Sequence, residues 1–262
     1  MMEELIYVDR RNSNCNKWDG QTAMFGEEGL HAMWVADMDF KIPQCVQKAL
    51  HDYVDFGTVG YYRIPDGYYD AFINWEKAHF NFEVKREWLR FAPGVVAAFN
   101  WMLQILTEPD EVVIVMTPVY YPFLQAVTNN ERKLITSELV NEDGKYTIDF
   151  EDFEKKIIDN DVKAFILCSP HNPVARVWTK EELTRMFEIC HRHHVYVISD
   201  EIHQDFVFGD KVQIPSYQAT EHWEEMVAIT APSKTFNLAG GQNSFMIIAD
   251  EKLRARWDDF AK

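Results

Sequence analysis

Five short apolar runs constrain the fold of this chain: EVVIVM (111–116), KAFILC (163–168), VYVIS (195–199), MVAIT (226–230) and NSFMIIA (243–249). Each is apolar almost throughout and lacks the strict alternation of a strand with one wet face. Each therefore reads as a strand covered on both faces. Between them lie segments of helical period, such as DFEDFEKKIIDN (149–160) and TKEELTRMFEICHRHH (179–194). In the latter, Thr179 and Glu182 have capping-box spacing. With WLRFA (88–92) and RKLITSEL (132–139), the pattern predicts seven strands alternating with helices. The expected fold is α/β, a three-layer sandwich around a mainly parallel, mixed seven-stranded sheet.

Upstream, the first 40 or so residues are polar and irregular. PQCVQKALHDYVDFG then predicts an amphipathic helix ending at Gly57, and a second helix covers Tyr68 to Phe80. PGVVAAFNWMLQIL, YYPFLQAVTNN and the final DEKLRARWDDFAK also read as helices, while DGKYTI reads as a lead into the helix beginning DFEDF.

Charge and cysteines narrow the function classes. With 26 basic against 42 acidic residues, the net charge of −16 opposes nucleic acid and anionic membrane. No apolar run approaches the length that spans a bilayer, and MMEELIYVDRRNSNCNKW carries charge throughout instead of a signal core. Four scattered cysteines without a C-x-x-C pair fit a reducing cytoplasm rather than a disulfide framework. HRHH (191–194) invites a metal reading, but cationic groups at a helix C-terminus answer to the helix dipole, and no metal is expected.

In open α/β sheets, ligands bind at the carboxyl ends of parallel strands. There KAFILC delivers SPHNP, VYVIS delivers DEIH, and MVAIT delivers APSK, which bring Asn172, Asp200, His203, Ser233 and Lys234. APGVVAAF adds a glycine and open amides at a helix start, suited to an anion such as phosphate. TPVYYPF adds Tyr120 and Tyr121. Each feature alone has a plain reading: a turn glycine, a solvated lysine, loop acids, core tyrosines. Together they are what pyridoxal phosphate needs: an amine, an acid for the pyridine nitrogen and a phosphate cradle.

The motifs WVADMDF, GYYRIPDGYYDAFINW, APGVV, TPVYYPF, PHNPVARVW, SDEIHQDFVF and APSKTFNLAG occur in order over roughly residues 30–250. In these the chain resembles fold-type I pyridoxal-phosphate enzymes of the aminotransferase class I/II group. Within that group it looks most like the MalY/PatB-type carbon–sulfur β-lyases (cystathionine β-lyases). The resemblance implies that Lys234 carries the cofactor as a Schiff base and then moves protons. Asp200 would hold the pyridine nitrogen protonated, and Asn172, with His203 nearby, would bond the phenolic oxygen. Tyr120 would stack on the ring and Tyr121 would face the substrate. The Val95 and Val96 amides and the Ser233 hydroxyl would hold phosphate. Tyr61 would reach the cofactor of a neighbouring subunit, which implies a homodimer, and Ala36 and Asp37 would lie near the substrate carboxylate.

The implied activity is α,β-elimination of cystathionine or cysteine-like amino acids to thiol, pyruvate and ammonia. An aminotransferase of the same fold is the alternative, and a shortened binding or regulatory relative is a third reading. The implied domains are residues 1–45 as part of a small domain and 46–262 as the cofactor-binding large domain. The family's C-terminal small domain, with its carboxylate-binding arginine, is expected to be absent, and no residue is assigned that role. Three positions depart from the family pattern. Ser169 replaces asparagine, Ala175 replaces glycine, with strain expected if φ is positive, and Gly241 replaces a bulky aliphatic.

Overall fold

A computed structural model describes residues 4–262. The N-terminal stretch contains two short helices, α1 (Asn16–Asp19) and α2 (Gln21–Phe25), and then α3 (Gln44–Asp55). Next come α4 (Asp66–Phe80), β1 (Leu89–Ala92), α5 (Val95–Leu106), β2 (Val112–Thr117), α6 (Pro122–Asn129) and β3 (Lys133–Glu138). A small pair, β4 (Val140–Glu142) and β5 (Lys145–Thr147), precedes α7 (Phe150–Asp159), β6 (Val162–Cys168), α8 (Lys180–Arg192) and β7 (Tyr196–Asp200). The chain ends with β8 (Met226–Thr230), α9 (Pro232–Thr235), β9 (Ser244–Ile247) and α10 (Glu251–Phe260).

The chain divides into two compact units. One comprises the chain up to Arg63 together with Pro232–Gln242, and the other comprises Ile64–Ala231 and Asn243–Lys262. This division falls beyond the boundary at residue 45 expected from the sequence. It groups α3, which buries none of its residues, with the N-terminal stretch.

The larger unit holds a seven-stranded sheet of order β1-β9-β8-β7-β6-β2-β3. β9 is antiparallel to β1 and β8, and the other neighbours are parallel, as the mixed pattern predicts. Side chains alternate across the sheet. Ile114, Met116, Phe165, Leu167 and Val197 meet Phe72 of α4, Phe153 of α7, and Leu183 and Phe187 of α8. On the other face Val113, Val115, Ile166, Ile198 and Ile229 meet Phe99 and Met102 of α5, Phe123 of α6, and Leu253 and Trp257 of α10. Burial on both faces explains why these strands are apolar at successive positions. Among the described residues, no helix is long and apolar enough to cross a membrane.

Two local predictions fare differently. The capping box of α8 forms, with Thr179 Oγ1 accepting from Glu182 N and Glu182 Oε2 accepting from Thr179 N. DGKYTI does not simply lead into α7, because Asp143 and Gly144 take the paired positive φ values (50° and 85°) that a tight hairpin turn requires, and β4 pairs with β5.

The sheet is pinned where it reverses direction. The buried Tyr217 Oη lies 2.8 Å from the Met226 carbonyl and 2.9 Å from the Ile247 carbonyl, at which its one proton is directed. It also accepts from Ala249 N at 3.3 Å. Tyr217→Phe removes this shared partner of three main-chain groups while leaving the ring. It is expected to cost about 1–3 kcal/mol, read as a lower urea midpoint at unchanged slope. An unchanged midpoint would show that the hydroxyl is dispensable.

Candidate active site

In the sheet unit, β2, β6 and β7 end at Thr117, Cys168 and Asp200, and the parallel register sets Cys168 opposite Asp200. Asp200 is 4% exposed. Its Oδ1 accepts from Ile202 N at 3.0 Å and its carbonyl accepts from Ser169 N at 2.9 Å. The second contact uses only a main-chain amide, so serine serves as well as asparagine at 169. Ser169 is itself buried, and its Oγ lies 3.4 Å from Gln213 Nε2.

Neutral groups tie the strand-end loops together. Burial, and after it the charge of Asp200, push the Cys168 thiol up, so sulfur stays protonated. Cys168 Sγ donates to Pro170 O and accepts from Asn172 N, each at 3.3 Å, which fixes the loop that carries Asn172. Tyr120 N donates to Asn172 O at 3.1 Å, joining the loop after β2 to the loop after β6. A second tie is His171 Nε2, 2.9 Å from the Pro118 carbonyl. Burial lowers His171 to about 4, so the ring is neutral and its proton sits on Nε2 to meet that carbonyl. Neither Cys168 nor His171 stood out in the sequence, because one ends an apolar run and the other sits between two prolines.

Tyr120 is half-buried, and burial, then the charges of Tyr121 and Asp200, keep its phenol protonated. Tyr121 is 59% exposed, with its ring 5.5 Å from that of Tyr120. His203 sets an edge against Phe206 at 6.3 Å, and its carbonyl accepts from Phe206 N. Val95 and Val96 open α5 behind Gly94, whose φ of 96° suits glycine alone. The first amides of a helix lie outside its own hydrogen-bond ladder, and so they can meet an anion.

In the other unit, Lys234 lies in the single turn α9, where Nζ donates to the Ala36 carbonyl at 3.0 Å. The expected site residues Lys234 and Ala36 thus meet. Asp37 takes a different partner, as Arg10 grips its carboxylate with two hydrogen bonds of 2.7 and 2.8 Å. Beside it, burial would raise Asp39, but hydrogen bonds from Lys17, Trp18 and Arg10 prevail and hold it at about 2. Ser233 closes the turn through its carbonyl, which accepts from Leu238 N, and Tyr61 is fully exposed. Gly241 is exposed and its Cβ position faces open space, so an aliphatic side chain there would meet no neighbour among the described residues.

Asn237 is the residue in this unit that sequence reasoning missed. Its Oδ1 accepts from Met38 N at 3.0 Å, and its Nδ2 donates to Met38 O at 2.9 Å and Phe40 O at 3.0 Å. It adopts φ 56°, which asparagine tolerates. These bonds hold the lysine loop against the segment that supplies Ala36.

His191 and His222 come together with Glu224, but as a face-to-face stack at 3.4 Å and 6°. Imidazole lone pairs lie in the ring plane, so in this stack they point along parallel planes instead of converging on one ion. His191 Nδ1 is engaged by Glu225 at 2.9 Å.

Two predictions follow from this geometry. Asn237→Ala should loosen the lysine loop, which would be seen as faster amide exchange at Met38 with a loss of about 1–3 kcal/mol. Unchanged exchange would remove the clamp from the account. Ala175 adopts φ 55° in an exposed turn closed by His171 N and Arg176 O at 2.7 Å. Ala175→Gly should therefore raise stability by up to about 1 kcal/mol in thermal unfolding, whereas an alanine at ease there would give a loss.

Comparison with known proteins places the chain. Residues 34–256 match the sequence model of the family aminotransferase class I and II. The chain is 40% identical over 250 residues to cystathionine beta-lyase PatB of Bacillus subtilis, covering 95% of this chain and 65% of that protein. It is 31% identical to protein MalY of Escherichia coli, covering 94% and 63%. It therefore spans less than two thirds of the length of these relatives. Among solved structures, cystalysin from Treponema denticola, which contains a pyridoxal 5'-phosphate cofactor, superposes with a TM-score of 0.93 at 36% identity, over 100% of this chain and 67% of that one. A PLP-bound C-S lyase from Staphylococcus hominis gives 0.91 at 35%, over 97% and 64%. By sequence and by fold, the chain belongs to the aminotransferase class I and II family.

Proposed function

We propose that this protein is a pyridoxal-phosphate-dependent carbon–sulfur β-lyase. With water, it would convert cystathionine or a cysteine-like amino acid into a thiol, pyruvate and ammonia. The observation that carries this reading is Asp200, a buried carboxyl group at the end of a central parallel strand, held by main-chain hydrogen bonds. The relatives named cystathionine beta-lyase and C-S lyase support the choice of reaction.

The donor set suits the cofactor. Asp200 would face the pyridine nitrogen, Asn172 with His203 the phenolic oxygen, and Tyr120 the ring. The Val95 and Val96 amides and the Ser233 hydroxyl would hold the phosphate. No heavy atom lies within 4 Å of the Cβ position of Gly94, which leaves an opening beside those amides. Lys234 would supply the amine. When bound, the cofactor provides a sink for the electron pair left at Cα once its proton is removed.

The residues of the chain then divide the remaining work. Lys234 Nζ takes the Cα proton, for which it must be neutral part of the time. Asp200 keeps a proton on the ring nitrogen. Tyr121 faces the substrate, and Ala36 and Asp37 flank its carboxylate side. The thiol leaves when the Cβ–S bond breaks. We assign the protein to the cytoplasm as a homodimer in which Tyr61 reaches the neighbouring cofactor. The full exposure of Tyr61 and the four unpaired cysteines support that assignment.

The test is pyruvate release from L-cystathionine by the protein loaded with pyridoxal phosphate, without a keto-acid acceptor. Release is expected; a requirement for the acceptor would indicate an aminotransferase, and no cofactor absorption band would indicate a binding module. Lys234→Ala should lower the rate by about 10³-fold or more, and full activity in that variant would overturn the assignment.

A further inference from the structure

Glu76 is the most buried carboxyl group that the proposed chemistry does not use. It lies on α4, is 1% exposed, and its Oε1 accepts from Gln204 Nε2 at 2.6 Å. Gln204 is 3% exposed, and its own Oε1 is buried without a hydrogen-bond partner among the described residues. A carboxylate could not satisfy that oxygen, because it only accepts. A carboxylic acid has one O–H to give.

The charges facing Glu76 from the segment after β7 are those of Glu201 and Asp205, both acids. Glu201 is buried and accepts from Ser199 Oγ and Ser216 N, while Asp205 accepts from Trp75 Nε1 at 3.0 Å. No cation among the described residues is paired with Glu76, so ionisation there would place an uncompensated charge in a dry setting beside Glu201, whose own carboxyl is pushed up by burial. Burial, against the opposing hydrogen bond from Gln204 Nε2 and with the acids Glu201 and Asp205 adding to it, pushes the group up to about 8.

We infer that Glu76 is a neutral carboxylic acid that donates its proton to Gln204 Oε1 while accepting from Gln204 Nε2. This acid–amide pair acts as a positioning device for the Glu201–Asp205 turn behind Asp200. The turn is short and tightly connected. Ile202 N bonds Asp200 Oδ1, and Gln204 N bonds Glu201 O at 2.9 Å. α4 therefore holds the turn at two points, Gln204 through Glu76 and Asp205 through Trp75, and only the first can change with protonation of Glu76. When Glu76 ionises, the proton leaves to solvent, the bond to Oε1 is lost, and the hold weakens.

The sign of the pH effect follows from linkage. The unfolded chain releases this proton near the ordinary glutamate value of 4.5 and the folded chain near 8, so folding stability falls between those values and levels off above them. Glu76→Gln keeps both hydrogen bonds to Gln204 but cannot ionise. It should melt with the wild type at pH 5 and roughly 5 °C or more above it at pH 8.5. Infrared difference spectra of the wild type should show a carboxylic-acid carbonyl band that disappears with a midpoint near pH 8, and that band should be missing in Glu76→Gln. Gln204→Met removes the acceptor and should shift the band to higher frequency, which keeps the test alive if Glu76→Gln fails to fold. An acid band that is absent from the wild type, or a melting difference that does not change with pH, would overturn the inference. These readouts follow Glu76 itself, so they stand or fall independently of whether cystathionine is cleaved.

Discussion

Parallel pairing of β3, β2, β6, β7 and β8 is the constraint on which the rest of the sheet unit depends. Parallel strands need crossovers, and the crossovers put helices on both faces, so side chains within the strands meet other apolar side chains. A titratable group has no place in such a strand except at its end. The same pairing aligns those ends, and for this reason Cys168 and Asp200 stand side by side in register while Asn172 and Tyr120 follow within a few residues. The polar residues gather at one edge because the middle of the sheet excludes them.

What holds that edge is a set of groups that stay uncharged. The thiol of Cys168, the imidazole of His171 and the phenol of Tyr120 are kept neutral by burial; His171 reaches the Pro118 carbonyl of the adjacent loop, and Cys168 bonds main-chain atoms of its own loop. Neutral cross-ties neither attract nor repel a charged ligand strongly. They leave the buried carboxyl groups of Asp200 and the adjacent Glu201 as the acids at the end of β7.

The sheet was legible in the sequence because burial on both faces leaves a continuous apolar signature over five or six residues. The four- and five-residue helices α1 and α2 were not, since a single turn has no period to detect. The hairpin at Asp143 and Gly144 carried its D-G signal, but the helix that follows drew the reading away from it. Candidate site residues emerged where a strand end delivers them, as with Asp200 and Asn172. Partners that meet only through folding did not emerge: Asn237 grips a residue 199 positions away, and Gln204 one 128 positions away. In both cases an amide side chain does the holding, and amides carry no charge or spacing that would mark them in a single sequence.

The two units differ in how they are held. Every buried apolar side chain among the described residues lies in the sheet unit, whereas the buried residues of the unit containing Lys234 are Lys17 and Gln21. That smaller unit is ordered by directional polar contacts, among them the Arg10–Asp37 pair, the Lys17–Asp39 pair and the Asn237 clamp. Opening it exposes little hydrocarbon, so its local unfolding carries a small heat-capacity change and responds weakly to urea. Ionic strength acts on it instead, through the screening of its ion pairs. The segment carrying Lys234 therefore answers to the salt around it, and the sheet answers to temperature and denaturant.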